Sequence, residues 1–199
     1  MCRLIAISNR ALCNDDFAER IRKISALGIP VILREKDLSE DEYYKLLCRV
    51  KVPDITAHTY ADAARRVGCR RIHMPIPVLE HVDVSDFERV GASVHSVEQA
   101  LHAIQLGATY LTAGHIFATD CKKGLPPRGV DLIKEIKAAV DIPVYALGGI
   151  TPQNAGEVLN AGADGVCVMS GFMTCDSIEE YANMYSAFIK QVGKSGFKN

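Results

Sequence analysis

Three of the six histidines in this chain follow directly on short apolar runs: His58, His95 and His115. An imidazole with an ordinary pKa of ~6.5 can take up and return a proton near neutral pH, which makes these positions candidates for acid/base chemistry. His115 is the sharpest of them. It comes just after the run Tyr110–Ala113 and just before a stretch holding Thr119, Cys121, Lys122 and Lys123. We therefore assign His115 as the candidate catalytic acid/base, with His58 and His95 as candidate pocket residues. His73 falls inside an apolar run, and His81 and His102 read as loop or helix-surface residues.

A second set of residues is suited to holding phosphate. Gly148 and Gly149 close one apolar run and precede Ile150-Thr151-Pro152, where a helix can start; Ser170 and Gly171 close another. Glycine lets backbone N–H groups approach a ligand closely, and a helix starting near Gly171 adds a partial positive charge. The alternative is that these glycines only form tight turns. Arg34 and Lys36 flank Glu35 after a third run. They read either as cations for an anionic substrate or as part of a solvated charged turn, and both readings stay open.

The elements that must position these groups alternate. Leu4–Ile7, Ile29–Leu33, Ile55–Ala57, Arg71–Met74, Val90–Val94, Tyr110–Ala113, Val144–Leu147 and Gly165–Met169 are short, apolar and rich in β-branched residues, as buried parallel strands are. Helical spacing fills most of the intervals: Phe17, Ile21, Ile24 and Leu27 form one stripe, Leu46, Leu47 and Val50 another behind a Ser39 cap, and Ile133, Ile136 and Val140 a third. A last helix spans 177–192, and 193–199 is expected to fray. Eight strands alternating with crossovers, and no glycine-rich dinucleotide turn after the first, predict a single-domain (β/α)₈ barrel over residues 1–199. In that fold the strand C-terminal ends form the active face, and the loops after strands seven and eight hold phosphate. His115 is expected opposite that cup. Pro75 and Pro77 argue against a helix directly after the fourth strand. The connection from Gly114 to Arg128 is long enough to be functional.

Bulk properties exclude several classes. The net charge of −1 offers no general attraction to nucleic acid or anionic membrane, so an anionic ligand needs local groups. No apolar run reaches membrane-spanning length, and no signal segment is legible. Seven cysteines without a CxxC spacing fit reduced thiols in the cytoplasm better than disulfides or a metal site.

The stretches 114–129 (GHIFATDCKKGLPPRG), 142–150 (IPVYALGGI) and 161–171 (AGADGVCVMSG) resemble the thiamine phosphate synthase superfamily, over about residues 5–189. Within it the chain looks most similar to the thiazole tautomerase branch. The synthases join an aminopyrimidine diphosphate to a thiazole phosphate and use Mg²⁺ held by two aspartates. The positions that match those aspartates are Thr59 and Val78 here. The resemblance therefore implies a metal-free and cofactor-free isomerase that converts a non-aromatic carboxythiazole phosphate to its aromatic tautomer, with His115 moving the protons. It implies substrate contacts from Arg34, Lys36, His58, Thr119, Lys122, Gly148, Gly149, Ser170 and Gly171, and a homodimer. Arg34-Glu35-Lys36 is similar to the synthase pattern and keeps a thiamine phosphate synthase as the alternative. A catalytically silent phosphate-binding barrel is the third reading.

Overall fold

Short β-branched strands need partners on both edges, and here they find them by closing on themselves. The computed structural model describes residues 4–119 and 124–195, with the side chains of the last helix described as far as Ser186. The strands are β1 (Leu4–Ile7), β2 (Val31–Leu33), β3 (Thr56–His58), β4 (Arg71–Pro75), β5 (Arg89–Val94), β6 (Tyr110–Gly114), β7 (Val144–Leu147) and β8 (Gly165–Val168). They pair in parallel in chain order, and β1 closes on β8 through Leu4↔Val166 and Ala6↔Val168, forming an eight-stranded barrel. The expected (β/α)₈ barrel is the observed fold.

Between and after the strands lie α1 (Phe17–Ala26), α2 (Glu40–Val50), α3 (Ala61–Arg66), α4 (Ile76–Leu79), α5 (Val97–Gln105), α6 (Asp131–Ala139), α7 (Ala155–Asn160), α8 (Ser170–Thr174) and α9 (Ile178–Ser195). Their starts are specified locally. Asp16 accepts from Glu19 N at the head of α1, and Ser96 from Gln99 N at the head of α5. Ser39 and Glu42 form a reciprocal capping box on α2; removing such a cap costs about 1 kcal/mol. Two expectations need correction. A one-turn helix does follow β4 directly: Pro75 is its N-cap and Pro77 lies in its first turn, where a backbone N–H has no helical partner to lose. The last helix also runs on to Ser195, into the segment expected to fray, while 196–199 lie outside the described residues. Among the described residues no helix is long and apolar enough to cross a membrane.

Strand alternation sorts the interior in two. Leu4, Ala6, Val31 and Leu33 face outward into one large core shared with the helices. Ile5, Ile7, Ile32, Tyr110, Tyr145 and Cys167 face inward as a separate cluster. Arg89 fills the N-terminal end of that inner column, 4.6 Å over the Tyr110 ring and donating to Tyr145 Oη at 3.3 Å. The inward positions nearer the strand C-termini are different in kind: His58, His73, Ser93 and Thr112 are polar, and they lead into a cavity.

Candidate active site

A cavity of 380 Å³ opens at the C-terminal ends of the strands. Its first wall continues β2. Strand-like alternation past Leu33 sends Arg34 and Lys36 to the cavity and Glu35 away from it. Glu35 is 3% exposed. It accepts the Ser8 hydroxyl at 2.6 Å, the Arg10 amide at 3.1 and 3.0 Å, and one Arg10 guanidinium nitrogen at 3.4 Å. Ser8 Oγ in turn accepts from the Arg34 amide at 2.8 Å. Asp37 accepts from Arg10 Nη1, the nitrogen shared with Glu35, and from Nη2, each at 2.6 Å. The sequence -REKD- is thus not one solvated turn: its acids fasten β2 to the loop after β1, and its two cations line the cavity.

The second wall is β3 and β4, where His58 and His73 are register partners. Tyr43, buried on α2, donates to Leu33 O at 2.6 Å and accepts from His58 N at 2.8 Å, tying the ends of β2 and β3 together. His58 Nδ1 meets Thr59 Oγ1 at 2.7 Å. His73 uses both ring nitrogens: Nδ1 with Tyr110 Oη at 3.1 Å, and Nε2 with Ser93 Oγ at 2.8 Å and Thr112 Oγ1 at 3.3 Å. Burial pushes the His73 imidazole down to about 3, with the Arg34 charge adding to the effect. Burial also holds His58 well below the usual histidine range, helped by His73, Arg34 and Lys36. Both rings are neutral at pH 7. Thr59, a β-branched residue at φ 70°, occupies a strained left-handed conformation at the tip of β3.

The third wall comes from β5 and β6. His95 lies against Gly114, whose missing side chain leaves room for the ring, and both line the cavity. His115 also lines it, is 4% exposed and sits at φ 63°. Its Nε2 is buried and has no hydrogen-bond partner among the described residues. Buried polar atoms are nearly always partnered, so this orphan, on a residue that lines the cavity, marks a candidate contact for a ligand group. The base of the long loop is pinned by Arg128 N to His115 O at 2.8 Å and Gly129 N to Ile116 O at 3.0 Å. Thr119 lines the cavity, while Lys122 lies outside the described residues.

The fourth wall is formed by β7 and β8. Gly148 and Gly149 have φ of 100° and 65°. A Cβ on Gly148 would come within 2.8 Å of the His115 Cα, and one on Gly149 within 2.9 Å of the Phe117 carbonyl carbon. The glycine pair is therefore required by the β6 loop running against it, and His115 stands beside this turn rather than opposite it. Asn154 fixes the turn by donating to Gly149 O at 2.9 Å and accepting from Thr151 N at 2.8 Å. Ser170 lines the cavity at the head of α8, a helix of five residues. Gly171 is not a lining residue, and its missing Cβ accommodates the Tyr181 ring instead. His73 and Ser93 are lining residues that sequence reasoning missed. The signal was present, because inward alternation along β4 and β5 points both toward the axis.

The donor set can be tested against a hard divalent cation. Among the described residues none that lines the cavity is Asp or Glu, and no cluster of three or more His, Cys, Asp and Glu is placed to hold a metal. Thr59 and Val78 stand where the family resemblance puts two carboxylates. Mg²⁺ takes oxygen ligands and favours carboxylates, so these residues do not fit it.

Residues 4–172 match the family described as thiamine monophosphate synthase. The chain is 35% identical over 188 residues to a thiamine-phosphate synthase of Caldanaerobacter subterraneus, covering 87% of each chain. It is 34% identical over 181 residues to a putative thiamine-phosphate synthase 2 of Aquifex aeolicus, covering 86% of this chain and 97% of that one. The solved thiamine phosphate pyrophosphorylase from Pyrococcus furiosus superposes with a TM-score of 0.77 at 27% identity over 96% of both chains. These names correct the tautomerase expectation. That expectation weighed three site positions, His115, Thr59 and Val78, above the rest of the chain, whereas relatives matching nearly the full length are named as synthases. On its fold and on this match over most of its length, the chain belongs to the thiamine monophosphate synthase family.

Proposed function

We propose that this chain is an enzyme that joins an aminopyrimidine diphosphate to a thiazole phosphate and releases diphosphate. The observation that carries the reading is a single cavity with two separate places for anionic groups. Arg34 and Lys36 lie on the β2 side, and the Gly148-Gly149 turn with Ser170 lies on the β7–β8 side. A reaction between two phosphorylated partners needs both, and they must be far enough apart that the reacting carbon and nitrogen meet between them. The names of the relatives supply the reaction class.

In this reading the thiazole phosphate arm sits in the glycine and serine turn, as is usual for loops after strands seven and eight. The diphosphate lies toward Arg34 and Lys36, where Arg offers a planar fork and Lys a compact charge. His115 Nε2 and Thr119 meet the heterocycles by hydrogen bonding. The neutral rings of His58 and His73 form a polar floor without adding charge. The thiazole nitrogen displaces the diphosphate from the pyrimidine methylene: a C–N bond forms, a C–O bond breaks, and the electron pair leaves on the diphosphate oxygen. No step is assigned to a metal ion.

Incubating the purified chain with both substrates and following thiamine phosphate by mass tests the reading. Product formation in proportion to enzyme supports it. Substrate binding without product, under conditions where a known synthase turns over, overturns it in favour of a silent ligand-binding barrel.

A further inference from the structure

Among the described residues, the carboxylates beside Arg34 and Lys36 are committed elsewhere. Glu35, between the two cations, has both oxygens engaged by Ser8 and Arg10. Turning it into the cavity would strip partners from a buried hydroxyl and a backbone amide, each costing about 1–3 kcal/mol. His58 and His73 are no better supplied. His73 has both ring nitrogens engaged and His58 has Nδ1 on Thr59. Soft neutral nitrogens are in any case poor ligands for a hard cation.

What this wall does supply is fixed positive charge. Arg34 is held by its amide on Ser8, and alternation sets Lys36 on the same side two residues later. With His58 and His73 neutral, that charge does not depend on imidazole protonation. We propose that the cavity holds a diphosphate group without a divalent metal ion, with Arg34 and Lys36 supplying the charge that a metal would otherwise bring. The proposal rests on the synthase reading for its substrate, but it concerns the binding step alone.

The test is calorimetric titration of inorganic diphosphate into the full chain, in EDTA and then in Mg²⁺, with the variants Arg34→Gln, Lys36→Gln and Arg34→Lys. Binding in EDTA is expected, weakened by Mg²⁺ because the metal withdraws free diphosphate. Each Gln variant should bind about tenfold or more weakly, the loss of one charge-assisted contact, at unchanged thermal stability. Arg34→Lys, which keeps the charge but not the fork, should lose less. Binding that requires Mg²⁺, or metal-free binding indifferent to both Gln substitutions, overturns the proposal. Metal-free diphosphate binding that depends on Arg34 and Lys36 in a protein that makes no thiamine phosphate supports it while defeating the synthase reading.

Discussion

The His58 ring lies 5.8 Å from that of its register partner His73, with the two planes inclined by 26°. Two imidazoles so close and so buried cannot both carry charge cheaply, and burial keeps both neutral. The consequence is a stability that depends on acid. In the unfolded chain a histidine takes up its proton near pH ~6.5. Folded His73 does so only near about 3. Between those values the unfolded state binds more protons, so stability falls as pH is lowered, by about 1.4 kcal/mol per pH unit for each such histidine. Denaturant unfolding at pH 7.5, 6.5 and 5.5 should show this decline, and His73→Gln should flatten it by about one proton. An unchanged slope in that variant would remove His73 as the cause.

Gly91 on β5 should be intolerant of any side chain. A Cβ there would collide with the Tyr110 ring and with His73 Nδ1, the two groups from β6 and β4 that hydrogen-bond over β5. Both neighbours are buried and fixed, so they cannot yield without breaking that bond. Gly91→Ala should cost about 1–3 kcal/mol, the usual range for overpacking. Its denaturation midpoint should drop while Gly156→Ala, where a Cβ meets open space on α7, leaves the midpoint unchanged or raises it.

The strands were legible because parallel barrel strands are buried on both faces and read as apolar runs; each of the eight expected runs contains or overlaps an observed strand. Ser39 as a cap was legible for a similarly local reason. The site was harder. Glu35 looks like its charged neighbours in sequence, and only the fold reveals that its partners are Ser8 and Arg10, more than twenty residues away. Gly171 carries the same local signature as Gly148, yet its Cβ is excluded by Tyr181 from a helix ten residues on. Pro77 follows a general rule against helices, but one turn is short enough to evade it. The branch of the family was misread because a few changed side chains in a pocket say less about ancestry than similarity spread along the chain.

Glu35 should matter for the site although it does not line it. Replacing it with Gln keeps its volume but weakens the buried acceptor of the Ser8 hydroxyl and the Arg10 amide, while Arg10 keeps its more exposed pair with Asp37. We expect Glu35→Gln to destabilise by about 1–3 kcal/mol. It should also weaken diphosphate binding, because Arg34 hangs from the same Ser8 hydroxyl that Glu35 orients. Urea denaturation and diphosphate titration of one preparation read both effects. A destabilised variant with full diphosphate affinity would separate the network from the site.

His115 couples a strained backbone to a buried ring nitrogen without a partner among the described residues, and two substitutions can pull these apart. At φ 63° an L-residue is held in a left-handed conformation that glycine adopts without steric cost. Glycine is ordinarily the less stable choice against alanine, by about 0.5–1 kcal/mol in regular structure. At this position the order should reverse, with His115→Gly more stable than His115→Ala by about 1 kcal/mol. Turnover should respond differently. Both variants lack Nε2, the buried atom without a partner among the described residues, so both should lose activity equally, by about ten- to a hundredfold if that atom bonds substrate. Equal stability of the two variants would show that the strain is not real. Activity that tracks stability, and recovers in the glycine variant, would place the importance of His115 in its backbone and not in its ring.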